Sequence, residues 1–371
     1  MPVETSIRRF EYIDALRGWA FLAVLVIHAA HEAAPGRLLG HLTWRGQYGV
    51  QLFYVLSALT LFLSMHSRWK KDKRPLAAFF IRRFFRIAPM FWLAIVFYLF
   101  LDGFGPGYWA PDGITAGMVA ATAAFVHGWN PVTINSVVPG GWSIAVEMSF
   151  YLLLPLLFVT IRSGRQAALF CLLAFVFGVA LRHWMLPVLA ARYPPAQFYL
   201  VEAFLYLWLP AQLPVFGVGL AVYFFLKGKP SLSPWLFLGA AFAVGSVGTF
   251  LKGEWLPVHD ILAVSFGLLA CGLAQRPVFL LVNPLMRHAG KVSYSAYLTH
   301  FALVHPCDLL VGRLQGPAHF LLLLAVVFIV TLAVSTVTYH LVELPGQELG
   351  KRLIALLDEP APFSVKHERA V

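Results

Sequence analysis

The sequence predicts an all-α polytopic membrane protein of about ten transmembrane helices, with both termini cytoplasmic. Its 371 residues are 60% hydrophobic and only 12% charged, whereas soluble globular proteins are about 25% charged. Apolar runs of roughly 20 residues, the length that crosses a bilayer, recur along the whole chain. Lys and Arg, which give a net charge of +11, gather beside alternate runs, as the positive-inside rule describes.

Ten apolar runs are long enough to be predicted spans. They lie at about 15–34, 48–66, 84–102, 142–161, 167–186, 202–226, 234–251, 258–275, 293–311 and 319–342. A shorter run at 114–128 is rich in Ala and Gly, and counting it as a span would place many later basic residues on the outer side. It is therefore predicted to be an outer-face or re-entrant element.

The rest of the composition excludes several classes of protein. The basic residues lie beside apolar runs, so the positive charge indicates a membrane surface and no nucleic acid. The three cysteines are scattered and suggest neither a disulfide framework nor a metal site. We expect no cleavable signal peptide, one membrane domain over 1–346 and a short cytoplasmic tail over 347–371.

The first span carries ionisable side chains where lipid disfavours them. Arg17 and His28 are separated by about 16 Å along a helix, and His31 follows one turn later. Buried ionisable groups in membranes are functional by default, and a neutral imidazole accepts a proton well near neutral pH. The alternatives are a histidine that only packs between helices and a metal site at His28-x-x-His31-Glu32.

A basic segment precedes Pro89 in the third span. Arg83 and Arg86 share one helical face, and guanidinium groups suit phosphate oxygens. The alternative interpretation is that both are ordinary positive-inside anchors. We assign that role to Arg82.

The fourth and ninth spans hold further polar side chains. Glu147 lies more than one turn inside an apolar run, with Tyr151 on the same face. A buried carboxylate needs a partner, so Glu147 is predicted to orient a histidine, hold an arginine or form a purely structural pair. Tyr297 and His300 also share a face, where interhelical hydrogen bonding is the simpler explanation.

Prolines and aromatic residues give weaker indications. The segment 340–345 is predicted to stop the last helix, and Pro210 with Pro214 is compatible with a broken helix. Tyr108, Trp109, Trp129 and Trp142 are candidates for stacking on sugar rings, although such residues are also common at membrane interfaces.

Together these segments resemble the acyltransferase-3 family of integral membrane O-acyltransferases. The resemblance extends over about residues 8–346, in the family's order. The matching segments are Tyr12-Ile13-Asp14-Ala15-Leu16-Arg17-Gly18 with His28, Gly49-Val50-Gln51-Leu52-Phe53-Tyr54-Val55-Leu56-Ser57, Arg83-x-x-Arg86-Ile87-x-Pro89, Trp142-Ser143-x-x-x-Glu147-x-x-Phe150-Tyr151, Ser293-Tyr294-Ser295-x-Tyr297-Leu298-x-His300 and Val342-Glu343-x-Pro345. Family members usually have an acid near Gln51, a second acid at Met148 and a glycine at Ala58.

The resemblance implies acyl transfer from a cytoplasmic acyl-CoA, commonly acetyl-CoA, to a hydroxyl of a cell-surface or exported glycan or a lipid-linked saccharide. It implies a bacterial inner membrane, acyl-CoA as substrate, and neither a metal nor a permanently bound cofactor. The oligomeric state is left open. The residues implied are His28, Glu147 and Arg17 as catalytic, Arg83 and Arg86 as acyl-CoA-binding, and His31, Trp142, Ser143, Tyr151, Tyr297 and His300 as supporting.

The second functional hypothesis is a proton-coupled transporter or flippase of a glycan or small molecule, because buried His, Glu and Arg also form proton relays. The acyltransferase hypothesis makes a geometric prediction. The basic residues near Arg86 and the imidazole of His28 should line one continuous cavity.

Overall fold

The computed structural model describes residues 10–228, 232–250, 257–312 and 314–358. Of these described residues, 82% are helical, and none lies in a strand. The longer helices are α1 (Glu11–Ala33), α2 (Arg37–Thr43), α3 (Gly49–Arg68), α4 (Pro75–Asp102), α5 (Ala116–Ala123), α6 (Trp142–Thr160), α7 (Gly164–Ala190), α8 (Phe198–Leu207), α9 (Leu209–Lys227), α10 (Pro234–Phe250), α11 (Val258–Gln275), α12 (Pro284–Lys291), α13 (Ser293–Val311), α14 (Gly316–Thr338) and α15 (Leu344–Asp358).

The all-α polytopic membrane fold is confirmed. Eight helical stretches in the described part of the chain are long and apolar enough to cross a bilayer, and a shorter apolar helix covers Pro234–Gly248. In the described part of the chain, nine predicted spans each coincide with one helical stretch, and 202–226 is divided between two helices. The short run at 114–128 forms only the eight-residue α5 and a 3₁₀ turn, which is too short to span.

Helix α1 lies at the centre of the bundle and packs against α3, α12, α13 and α14. Two glycines explain its close approach to α12. A Cβ added at Gly18 would lie 2.2 Å from the Met286 carbonyl oxygen, and one at Gly290 would lie 1.7 Å from the Asp14 carbonyl oxygen. The two backbones are therefore in direct contact, and no larger residue fits at either position.

The predicted span at 202–226 is broken, as its prolines allowed, and the break falls at Trp208. The Trp208 backbone is extended, and Pro210 lies in the first turn of α9, where no intrahelical donor is needed. The buried Gln212 side chain donates to the Tyr206 carbonyl oxygen at 2.7 Å. This bond gives the Tyr206 carbonyl oxygen the hydrogen-bond donor that it would have found within a continuous helix.

The predicted helix stop at 340–345 is wrong. A π-helical turn, Tyr339–Glu343, joins α14 to α15 in one helical stretch. The Leu344 amide bonds to the Tyr339 carbonyl, so the wide turn is completed before Pro345. Helix α15 then packs on α4, where a Cβ at Gly346 would lie 2.7 Å from Pro89 Cγ.

The helix continues into the segment that was predicted to be a short cytoplasmic tail, 347–371. The boundary between 346 and 347 falls inside α15, which docks on the membrane helices as far as Asp358. The remainder of the tail, 359–371, and the predicted cytoplasmic N-terminus at 1–9 lie outside the described residues.

Candidate active site

Two neighbouring cavities contain most of the predicted site residues. The arginine cavity has a volume of about 70 Å³; its lining residues include Arg17, Val50, Tyr54, Ser57, Arg86, Ser143, Glu147, Tyr151, Tyr294 and Tyr297. The histidine cavity has a volume of about 620 Å³; its lining residues include His28, Trp44, Val50, Gln51, Trp109, Asn135, Gly140, Trp142, Tyr206, Tyr297 and Phe301.

The single cavity predicted from the sequence is thus divided in two. Val50 and Tyr297 line both parts and form the wall between them. Arg17 and His28 lie on opposite sides of this wall, since one helix supplies them about 16 Å apart. His28 faces a cavity in the protein interior and does not point at lipid.

Glu147 organises hydroxyl groups in the arginine cavity. Its Oε1 accepts a hydrogen bond from the Tyr151 hydroxyl at 2.6 Å and another from Ser57 Oγ. Tyr151 lies one turn further along α6, and Ser57 comes from α3. Among the described residues, no ion pair forms with Glu147. Glu147 therefore does not neutralise the arginines of this cavity through a direct ion pair.

The positive charge of this cavity comes from α1 and α4. Arg17 donates to Thr60 Oγ1 at 3.1 Å and lies 3.8 Å from the Asp14 carboxylate. It also lies within electrostatic range of Arg86 and Glu147. Guanidinium groups outnumber carboxylates here, so an anionic ligand is favoured.

Only one member of the predicted arginine pair lines the cavity. Arg86 does so, whereas Arg83 lies behind it, within electrostatic range of Glu147 and Tyr151. The buried Nε of Arg83 has no hydrogen-bond partner among the described residues. Arg82 forms an ion pair with Asp72 at 2.5 Å.

His28 meets a second histidine in the larger cavity. Its ring centroid lies 5.2 Å from that of His300 and 4.4 Å from that of Phe301. His300 is fully buried, and its Nδ1 donates to the Ala296 carbonyl oxygen at 3.2 Å. In the described part of the chain, no hydrogen bond occupies the His28 ring or His300 Nε2. His28 is therefore able to take a proton from a ligand.

His31 is not brought into either cavity. It is exposed on α1, and Glu32 beside it bonds to His305 at 2.7 Å. The described residues contain no group of three or more His, Cys, Asp or Glu side chains that could hold a metal. The segment 28–32 therefore contributes His28 alone to the site.

A hydrogen-bonded cluster fixes the wall. The Tyr297 hydroxyl donates to the Gly140 carbonyl oxygen and accepts from Ser143 Oγ, each at 3.0 Å. The Tyr54 hydroxyl donates to the Ser143 carbonyl oxygen at 3.2 Å. Gly140 has a φ of 74°, and a Cβ there would lie 2.8 Å from the Tyr297 hydroxyl. Only glycine suits this position.

Aromatic and amide groups line the histidine cavity. Trp109 and Trp142 reach it, whereas Tyr108 and Trp129, which the sequence also suggested, lie elsewhere and are 66% and 52% exposed. Gln51 also lines this cavity, although it was not predicted to be a site residue. Its Nε2 donates to Gln212 at 2.9 Å, and its Oε1 has no partner among the described residues. The only sequence signal was an amide where relatives usually carry an acid.

In this bundle of membrane helices, the His28 imidazole lies across a thin wall from a cationic cavity. Such an arrangement is more typical of a group-transfer enzyme than of a simple binding protein. The family model described as an acyltransferase domain, that of the acyltransferase-3 family, matches residues 10–340. The chain belongs to this family. Acyltransferase MdmB of Streptomyces mycarofaciens is 26% identical to this family member over 340 residues, which cover 84% of the chain and 83% of the relative.

A second relative of this acyltransferase is peptidoglycan O-acetyltransferase OatA of Listeria monocytogenes. The two are 26% identical over 201 residues, which cover 50% of the chain and 30% of the longer relative. No solved structure matches the chain significantly. Fold, family and relatives together identify an integral membrane O-acyltransferase.

Proposed function

We propose that this protein transfers a short acyl group, most simply acetyl from acetyl-CoA, to a hydroxyl of a cell-surface or exported glycan. One observation carries the proposal. A cationic cavity and a cavity with an unbonded imidazole adjoin at Val50 and Tyr297, so a group held in the first needs to pass only one wall to reach the second.

The donor is assigned to the arginine cavity. Arg17 and Arg86, with Arg83 behind them, supply guanidinium groups for the phosphates of an acyl-CoA. At about 70 Å³ the cavity is far smaller than the 300–1,000 Å³ or so of typical ligand sites. The adenosine therefore stays outside, the phosphates contact the arginine side chains, and only the acyl-bearing end of the thioester arm reaches further in. The positive-inside rule puts the Arg17 end on the cytoplasmic side, where acyl-CoA is available.

The acceptor is assigned to the histidine cavity. Its volume of about 620 Å³ falls within the range of ligand sites. Trp44, Trp109 and Trp142 offer faces for sugar rings. The name of the Listeria relative, a peptidoglycan O-acetyltransferase, supports a glycan as acceptor.

The proposed chemistry needs one base. Once the Val50 and Tyr297 side chains move aside and admit the thioester to the histidine cavity, His28 takes the proton of the acceptor hydroxyl while the oxygen attacks the thioester carbonyl carbon. The new C–O bond forms as the C–S bond breaks, and the proton passes from the imidazolium to the leaving CoA thiolate. Glu147 positions Ser57 and Tyr151 beside the donor, and Tyr297 positions the wall that the acyl group crosses. A covalent acyl-imidazole on His28 is the two-step variant of this reaction.

The proposed location is the cytoplasmic membrane of a bacterium. Both relatives come from bacteria, and the apolar helices require a bilayer. The substrates assigned here, acyl-CoA and a glycan, make nucleic acid an unnecessary partner.

The proposal is tested with a matched pair of histidine variants. Purified protein receives acetyl-CoA and a peptidoglycan or polysaccharide fragment, and release of free thiol is measured. We expect His28→Ala to abolish acceptor-dependent thiol release, because the base is lost, and His31→Ala to retain it, because His31 is exposed outside both cavities. An active His28→Ala enzyme contradicts the assignment.

The break between α8 and α9 favours a second candidate function, transport of a glycan or small molecule, since broken helices often mark transport sites. A transporter moves its solute without consuming acyl-CoA. Uptake by vesicles that proceeds without acyl-CoA, together with no thiol release, would establish that alternative.

A further inference from the structure

Two contacting tyrosines, Tyr108 and Tyr199, form an exposed aromatic pair, the tyrosine pair. Tyr108 comes from the loop between α4 and α5, and Tyr199 from the first turn of α8. Their ring centroids are 4.6 Å apart, and the Tyr199 hydroxyl donates to the Tyr108 carbonyl oxygen at 2.6 Å. Tyr108 is nevertheless 66% exposed, so the pair presents an aromatic face that the rest of the described chain does not cover.

A tight turn connects Tyr108 to the histidine cavity. Gly107 and Ala110 exchange two backbone hydrogen bonds, at 2.9 and 3.1 Å, and Tyr108 and Trp109 are the two residues between them. Trp109 lines the histidine cavity and packs against an apolar cluster that includes Val201 of α8. Neighbouring residues of one turn therefore place one ring at the cavity and the other against Tyr199.

Helix α8 connects Tyr199 to the same cavity. Ala203 of α8 lines the histidine cavity, and Tyr199, four residues earlier, lies on the same face of the helix. The two positions are about 6 Å apart along the helix axis, a separation comparable to the length of one sugar ring. Both elements that carry the tyrosine pair therefore also line the cavity, and the pair lies about one helical turn from it.

The charge pattern places the tyrosine pair on the outer side of the membrane. Four basic residues lie within 70–74, directly before α4, whereas 103–142, which includes the Tyr108 loop, contains no Lys or Arg. By the positive-inside rule, this loop faces away from the cytoplasm. A glycan that is exported or displayed on the cell surface reaches the protein from this side.

Tyrosines at a membrane surface often serve only as interfacial anchors, with their polar ends in the headgroup region. The contacts of the tyrosine pair differ from that pattern. The Tyr199 hydroxyl is bonded to protein backbone, and Trp109, the residue after Tyr108, lines the histidine cavity. These contacts favour a ligand that also occupies the cavity over a lipid headgroup.

We propose that the tyrosine pair is a second sugar-binding subsite, where the ring of Tyr108 stacks on the sugar next to the one held in the histidine cavity. Aromatic faces suit the apolar faces of sugar rings, and a pair that is already fixed loses little conformational freedom on binding. The ligand is then a glycan of two or more linked sugars. Its role as acceptor rests on the proposed function, whereas its binding does not.

Binding is measured by isothermal titration calorimetry of the protein in lipid nanodiscs, without acyl-CoA and without sugar-based detergents. The ligands are N-acetylglucosamine and its β-1,4-linked tetramer, chitotetraose. Tyr108→Ala removes the stacking face, and Tyr108→Phe keeps it. Trp184→Ala is the control for the loss of an exposed ring, because Trp184 of α7 is 64% exposed and does not line the histidine cavity.

We expect the unmodified protein to bind chitotetraose about tenfold more tightly than N-acetylglucosamine, since only the tetramer reaches both subsites. Tyr108→Ala should weaken tetramer binding by about that factor and leave the affinity for the single sugar unchanged. A general disturbance of the cavity would weaken both. Tyr108→Phe and Trp184→Ala should match the unmodified protein.

Three results overturn the proposal. The first is equal affinity of the two sugars for the unmodified protein, or no binding of the tetramer. The second is a Tyr108→Ala variant that binds the tetramer normally. The third is a Tyr108→Phe variant that loses as much affinity as Tyr108→Ala, because the aromatic ring is then not the contact.

Thiol release from acetyl-CoA, measured with the same two sugars, separates this inference from the proposed function. If chitotetraose binds as expected but no acceptor-dependent thiol appears, the proposed function fails and the sugar subsite stands. If kcat/KM is the same for N-acetylglucosamine and chitotetraose, the proposed function stands and the second subsite fails.

Discussion

Arg82, Arg83 and Arg86 carry identical side chains within two helical turns, yet they occupy three environments. Arg82 is paired with Asp72, Arg83 is held behind the cavity and Arg86 lines it. The sequence analysis set Arg82 apart from the other two, and its ion pair with Asp72 agrees with a role outside the cavity. The spacing could not predict which of the other two lines the cavity, because that depends on neighbours from α6 and α13.

We expect Arg86→Ala to raise the KM for acetyl-CoA about tenfold or more, because a charged hydrogen bond to phosphate is lost. Arg82→Ala is the matched control on the same helix and should leave the KM nearly unchanged. The measurement is initial-rate kinetics at varied acetyl-CoA and saturating acceptor. An unchanged KM for Arg86→Ala removes this residue from the donor site.

The surroundings of His28 could likewise be predicted only in part. Its depth in the membrane followed from its distance to Arg17, but its contact with His300 did not, because α1 and α13 are far apart in the chain. Gln51 escaped notice for a different reason. An uncharged amide in an apolar segment gives no sign of a high desolvation cost, although its Oε1 is buried without a hydrogen-bond partner among the described residues.

At the scale of elements, spans were predictable and their ends were not. Hydrophobic length determines where a helix crosses, and all ten predicted spans lie on helices. Local interruptions depend on tertiary hydrogen bonds. The break at Trp208 is sustained by the side chain of Gln212, and the π-helical turn before Pro345 by partners on α13.

Glu343 of that π-helical turn is almost fully buried and accepts hydrogen bonds from the backbone amide of Ser295 at 3.0 Å and from its hydroxyl. It therefore holds the first turn of α13, from which Ser293 and Tyr294 line the arginine cavity.

We expect Glu343→Ala to destabilise the protein by about 1–3 kcal/mol, since buried donors lose their acceptor. The melting temperature in detergent should fall accordingly. Glu348→Ala, at an exposed acid on α15 paired with Lys351, is the control and should shift it little. Equal melting temperatures for both variants would contradict the structural role of Glu343.

At the scale of the whole molecule, the bundle brings two cavities together at one wall. The arginine and histidine cavities meet at Val50 and Tyr297. The sequence indicated most of their functional residues through the family resemblance. It could not predict the wall, because Val50 and Tyr297 come from helices far apart in the chain.

The small arginine cavity predicts the chain length of the donor. At about 70 Å³ it admits few heavy atoms, so we expect acetyl-CoA to be used in preference to octanoyl-CoA by at least about tenfold in kcat/KM. Val50→Ala opens space in the wall that the acyl group must cross, so the preference for acetyl-CoA over octanoyl-CoA should become smaller. Thiol release with both donors checks it, and equal use of the two by the unmodified protein would count against the cavity as the acyl site.

The Val50–Tyr297 wall affects how well the membrane holds its ion gradients while the enzyme is not turning over. Because the two cavities adjoin at Val50 and at Tyr297, whose hydroxyl is held by a hydrogen bond, and do not merge, the described residues form no open bore through this pair of cavities by which ions could leak. Vesicles that contain it should hold a proton gradient as long as protein-free vesicles do, and a pH-sensitive dye inside them would report any loss. Chemistry across the bilayer would then proceed without discharging the membrane.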